Sequence, residues 1–234
     1  MRTRRMLAAT SLLLASIALT ACAADLSPLD GWETAIPVDE WPDEPGPPIG
    51  QCPWEATGRP STAPPGGDDP VTVTEAAALP PELFWPLVES VPSEPSRSDF
   101  DEVSSALAGC PFSDVVAFEA RLTLALYELD GPENLAWFEA NDPGGLGFAS
   151  DDVFLYARCA TVLGGEENWR QAVADRTLAW GTDAPDLEGA AESLLYVAYY
   201  AARAQGVPGE EYYDAVDAAG LISYETGSNE DRWR

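Results

Sequence analysis

Two side chains on which most enzymes rely are missing from this sequence. The 234 residues include no histidine, and all twelve basic residues are arginine, so there is no lysine either. Without histidine, no serine or cysteine nucleophile has an imidazole base within the chain, and His-ligated zinc is excluded. Without lysine, Schiff-base chemistry, a Ser-Lys dyad and a phosphate-gripping P-loop lysine are excluded as well. What survives is chemistry that carboxylates, tyrosines and arginines can perform. Long apolar runs are also scarce. The one candidate, Met6 to Ala21, falls short of the roughly 20 residues a comfortable membrane span requires.

That run fits a different purpose. Met1-Arg-Thr-Arg-Arg5 precedes it and small residues follow it, the order of a charged start, an apolar stretch and a cleavage point. Leu19-Thr20-Ala21-Cys22 resembles a bacterial lipobox. The resemblance implies a lipid on the Cys22 sulfur, cleavage before it, and a mature chain anchored on the extracytoplasmic face of the cell membrane. Residues 1–21 are then a signal peptide, with Arg4-Arg5 leaving the export route open. Removing them takes three positive charges from a net charge of −28, leaving −31. So negative a field repels nucleic acid phosphates and anionic headgroups, which excludes nucleic acid as a partner. A basic ligand or the basic face of an envelope protein is compatible with it, and the lipid on Cys22 is the expected tie to the membrane.

From Ala23 to Pro81 the chain carries 13 of its 21 prolines and 11 acidic residues against a single Arg59. Asp43-Glu-Pro-Gly-Pro-Pro48 and Ser61-Thr-Ala-Pro-Pro-Gly-Gly-Asp-Asp-Pro70 suit neither helix nor central strand. Residues 22–80 therefore read as an acidic, proline-rich, extended tether. Trp32, Ile36, Val38, Trp41 and Trp54 are too apolar for a purely solvated spacer, so part of residues 30–56 is expected to lie against the domain or a partner.

Residues 81–221 carry helical periodicity, enough chain for one domain with a modest core. Leu83, Phe84, Leu87 and Val88 form the first apolar face, with Pro86 inside it. Phe100, Val103 and Leu107 form the next, behind a Ser98 cap. Val115, Phe118, Leu122, Leu126 and Leu129 make the longest clean pattern. Further helices are expected over 132–140, 166–174, 187–205 and 210–219. The richest stretch is Ser150 to Gly165: Ser150 suits an N-cap, Asp151 and Asp152 the positive first turn, and Val153, Phe154, Ala157, Ala160 and Thr161 a buried face. It reads as the central helix. Only Val71-Thr-Val-Thr74 alternates with period two, too short for a sheet. The expected fold is all-α, a single compact array of about six to eight helices, with residues 222–234 a polar C-terminal tail.

These residues resemble the uncharacterised bacterial domain of unknown function 4240 family. The resemblance rests on Leu83-Phe84-Trp85-Pro86-Leu87-Val88, Val115-Val116-Ala117-Phe118, the run Asp151-Asp152-x-Phe154-x-Tyr156-x-Arg158 ending at Gly165, Asp175, and Glu192-Ser-Leu-Leu-Tyr-Val-Ala198. It spans about Leu83 to Gly206 and implies a helical domain without an established activity. Ala157 and Ala160 replace expected aromatics, and Arg176 an expected proline. The smaller alanines either leave room for a pocket or are compensated by Leu155 and Cys159.

The best polar constellation is Asp151, Asp152, Tyr156 and Arg158 with Glu192 from another helix. It could bind a cation or polar ligand through hard oxygens. The competing reading makes the aspartates a helix cap and pairs Arg158 with an acid such as Glu192. Trp137, Phe138, Tyr196, Tyr199 and Tyr200 could stack on sugars, although helical spacing assigns most of them to the core. Among Cys52, Cys110 and Cys159 one disulfide is expected; Cys52–Cys110 and Cys110–Cys159 both fit, and no metal-ligand spacing or cofactor motif is present. The expected function is a lipid-anchored, non-enzymatic binding or interaction module. A carboxylate-dependent hydrolase acting on envelope material is the alternative, and it would require two acids sharing a cleft with one pKa raised.

Overall fold

The computed structural model describes residues 48–54, 69–141, 149–178 and 190–234. All of them belong to one compact unit, Glu44–Arg234, whereas a second unit, Met1–Asp43, lies outside the described residues. Cys22, the expected signal peptide and Trp32, Ile36, Val38 and Trp41 therefore also lie outside them. Among the described residues the regular structure is all helical, with no strand, and none of the helices is long and apolar enough to cross a membrane.

The hub is α4, Phe112–Tyr127, not the helix richest in sequence signal. Helix α4 packs against α1 (Pro70–Ala77), α2 (Pro81–Val88), α3 (Arg97–Ala108), α6 (Asp151–Leu163), α8 (Val197–Ala204) and α9 (Gly209–Ala218). Its periodic face explains this position: Val115, Phe118, Leu122 and Leu126 are all fully buried. Helix α6 is instead flanked by α4, by α5 (Pro132–Asn141) and by α7 (Glu166–Asp175). Ser96, two residues before the expected cap, closes a capping box with Asp99 at the start of α3. The expected helix over 187–205 contains a 3-10 turn at Glu192–Tyr196 before α8, and a last short helix, α10, covers Glu230–Trp233.

Two pieces of the expected tether pack on this body. Asp69 caps α1 by accepting from the Val71 N–H, and Pro70 occupies the first helical turn, where its missing N–H costs nothing. The Val-Thr alternation there is thus helical, with Val73 and Thr74 inward. Upstream, Cys52 is joined to Cys110 by a disulfide, the Gly50 N–H donates to the Ser105 carbonyl at 2.8 Å, and Trp54 Nε1 donates to Asp114 at 3.1 Å. Gly109 makes that approach possible: a Cβ there would stand 2.6 Å from Cys52 N and from the Gly50 carbonyl oxygen. Cys159 remains a free, buried thiol on α6.

Candidate functional site

The polar constellation at the start of α6 divides in two. Ser150 Oγ accepts from the Val153 N–H at 3.3 Å, and exposed Asp151 and Asp152 sit in the first turn, next to the positive end of the helix dipole. One turn beyond Asp152, Tyr156 hydrogen-bonds Glu192, which also accepts from Tyr196 Oη at 3.2 Å. Burial first, then Glu192, raises the Tyr156 phenol, and the same causes push Tyr196 up to about 12.

Arg158 goes elsewhere. Its side chain is fully buried, with Nη1 3.9 Å from Asp130 and donating to the Leu126 carbonyl at 3.3 Å, while Nη2 donates to Thr226 Oγ1 at 3.2 Å. The guanidinium also lies over the Phe154 ring. Arg158 thus pairs with an acid as expected, but that acid is Asp130, just past the end of α4, and not Glu192. Burial lowers the Arg158 pKa and Asp130 works against that shift. Asp130 in turn accepts from the Gly227 and Asn229 N–H groups at 3.1 and 2.9 Å. This pair fastens the C-terminal segment to the core. Among the described residues, no three His, Cys, Asp or Glu side chains are grouped to hold a metal ion, so Asp151, Asp152 and Glu192 do not form such a site.

The concave site adjoins the Glu192 cluster through Tyr196, which also lines it. A cavity of about 340 Å³ opens between α4, the 3-10 turn leading into α8, α9 and residues 221–225. Glu119 from α4 lines it and is only 6% exposed. Tyr196, Tyr199, Tyr212, Tyr213 and Tyr224 supply aromatic walls, and Asp217 and Glu225 add further carboxylates. Tyr199 stacks on Tyr213 with centroids 5.8 Å apart and meets Tyr212 edge-on at 5.7 Å, so the rings brace one another.

Helix periodicity puts Glu119 inward: it stands four residues after Val115 and three before Leu122, on the buried side of α4. Tyr212 hydrogen-bonds it, yet its Oε2 is buried without a partner among the described residues. Burial pushes the Glu119 carboxyl up to about 7, with the Tyr212 bond pulling the other way. The Tyr212 and Tyr224 phenols are raised by burial first and by Glu119 second. Tyr196 and Tyr199 were marked by their aromatic spacing, whereas Glu119, Tyr212, Tyr213 and Tyr224 were not. The available signal was an acid inside an otherwise apolar helical face. Ala157, Ala160, Leu155 and Cys159 all belong to the packed core, so the smaller residues there are compensated and none of them lines this cavity.

The family model described as "Protein of unknown function (DUF4240)" matches residues 81–203. The chain belongs to this family. No curated protein and no solved structure matches it. The DUF4240 match runs from α2 into α8, and so contains Glu119, Tyr196 and Tyr199. Tyr212, Tyr213, Tyr224 and Glu225 follow it. One wall of the cavity is therefore family domain and the other is contributed by residues beyond it.

Proposed function

We propose that the chain is a bacterial lipoprotein, anchored through Cys22 on the extracytoplasmic face of the cell membrane, whose DUF4240 domain is a non-enzymatic binding module. The proline-rich stretch after Cys22 holds the domain off the membrane. The tyrosine-walled cavity over Glu119 is its ligand site. The observation that carries this reading is Glu119, a carboxyl that lines the cavity and whose Oε2 is buried without a hydrogen-bond partner among the described residues. A buried acceptor without a donor is costly, and a ligand that supplies the donor recovers that cost.

The test has two arms. Cells fed labelled palmitate should label the wild-type protein and not Cys22→Ala, which should leave the membrane fraction; equal labelling of both would remove the anchor. For the cavity, thermal unfolding of the intact chain is followed against a panel of envelope amines, amino acids and sugars. A ligand at about 100 times its Kd adds roughly 2.7 kcal/mol, a shift of several degrees. That shift should disappear in Val216→Trp, which fills the cavity. A shift that survives the filling would place binding elsewhere.

One observation favours the hydrolase as second reading. A carboxyl with its pKa near 7 shares the cavity with Glu225 and Asp217, the arrangement that acid–base catalysis uses. Turnover of an envelope polymer with a pH–rate limb near 7, abolished in Glu119→Gln, would establish it. Binding without turnover would exclude it.

A further inference from the structure

Resting on the cavity being the ligand site, we infer that it takes a small organic cation, an alkylammonium group seated between the tyrosine rings with Glu119 as its counter-charge. Three features converge on that chemistry. The charged side chains that line the cavity are all acids, Glu119, Asp217 and Glu225, with no arginine among them. The walls are built largely of tyrosine rings, and the quadrupole of an aromatic ring attracts a cation placed over it. The unpartnered Glu119 Oε2 is an acceptor awaiting a donor or a positive charge. A phosphate or carboxylate ligand would meet only like charge here. The volume, about 340 Å³, suits a headgroup-sized ligand rather than a polymer.

The surroundings of Glu119 make the inference sensitive to pH. The groups that face it are Tyr212 and Tyr213 from α9, Tyr224 from the segment after α9, and Cys159 from α6. Burial is the main cause that raises all four, so none carries charge near neutral pH. Asp217 and Glu225 complete the lining. Glu119, its carboxyl pushed up to about 7 by burial, changes charge in this range, and a cation must displace its proton to bind.

The probes are choline, n-butylammonium and 3,3-dimethylbutan-1-ol, the uncharged carbon isostere of choline. Each is titrated calorimetrically into the intact chain at pH 8 and pH 6, and tyrosine-ring NMR signals locate the ligand. Both cations should bind at pH 8 at least tenfold tighter than the isostere. Choline affinity should fall about tenfold by pH 6, following the fraction of Glu119 ionised. Glu119→Gln should erase both the preference for charge and the pH dependence. Tyr213→Leu, at a half-exposed ring, should weaken choline severalfold and so tests the aromatic contribution even if Glu119→Gln folds poorly.

Equal binding of choline and its isostere, with the cavity tyrosines perturbed by both, would overturn the cation and leave the cavity as the binding site. Binding of neither cation would also overturn it, and Val216→Trp against the wider panel would then decide the cavity separately. A preference for the cations that persists unchanged in Glu119→Gln and Tyr213→Leu would overturn it as well, since their binding would be diffuse attraction to an acidic surface.

Discussion

Glu119 and Arg158 are both buried on helices whose neighbours are apolar, yet they resolve the cost of burial differently. Arg158 keeps its charge by gathering Asp130, two oxygen acceptors and an aromatic face around it. Glu119 has a single phenol and, among the described residues, no opposite charge against it, so burial keeps a proton on its carboxyl up to about pH 7. In the unfolded chain the same group ionises near its ordinary value of 4.5. Between those two values the folded state binds more protons than the unfolded state, and stability falls as pH rises. The contribution is complete below pH 4.5 and lost above pH 7, a change on the order of 3 kcal/mol. Glu119→Gln cannot titrate and lacks this slope. Urea unfolding at pH 5 and pH 8 should therefore show the variant gaining on wild type by about 2–3 kcal/mol as pH rises. A constant difference between the two proteins would mean that Glu119 is ionised throughout.

At the scale of elements, the segment after α9 behaves as a clasp. The Gly227 and Asn229 N–H groups donate to Asp130, Thr226 reaches Arg158, Asn229 Nδ2 donates to the Tyr127 carbonyl, and Arg232 reaches Asn134 at 2.7 Å. A chain ending at Leu221 would leave the buried Asp130 carboxylate without both backbone donors. Hydrogen bonds to a charged group contribute roughly 1.5–3 kcal/mol each, so this truncation should cost at least about 3 kcal/mol in denaturant unfolding. It should also open one wall of the cavity, where Tyr224 and Glu225 stand. A truncated chain as stable as the whole would show that the clasp adds nothing.

The clasp also marks the limit of what the sequence could reveal. Helices α2 to α7 were legible because Phe84, Val103, Leu122 and Phe154 recur with the period of a helix and a helix buries one face. The clasp is polar and short, and its bonds to Asp130 come from backbone N–H groups that have no one-letter code, so it reads as a tail. The cavity escaped for a related reason. Its parts come from α4, the 3-10 turn and α8, α9 and the clasp, and only packing brings Glu119 under Tyr212. The hub role of α4 was obscured because periodicity tells which face is buried and not how many neighbours share it. Position 158 shows the same limit from another direction: an arginine on a helix announces a partner, but proximity in space, not in sequence, selects Asp130 over Glu192.

For the whole molecule, charge dominates. Forty acidic residues against twelve arginines leave −28, and the described ion pairs are mostly exposed and contribute little. Self-repulsion of this size favours expansion, and salt screens it. Raising sodium chloride from about 0.02 M to about 0.5 M should lift the thermal midpoint by several degrees. A midpoint that ignores salt would mean the carboxylates are too widely spread to repel one another.

The Cys52–Cys110 bond has a mechanical consequence. Any pull on the N-terminal side of the chain crosses at Cys52 directly to Cys110, next to the start of the hub helix. The covalent path thus bypasses α1, α2 and α3, which lie inside the closed loop and carry no load along the backbone. With the bond cut, the same pull would run through all 58 residues of that loop, up to roughly 200 Å of contour once it is drawn out. Oxidised, such a pull loads the fold only from Cys110 onward; reduced, it can unravel the first third of the fold.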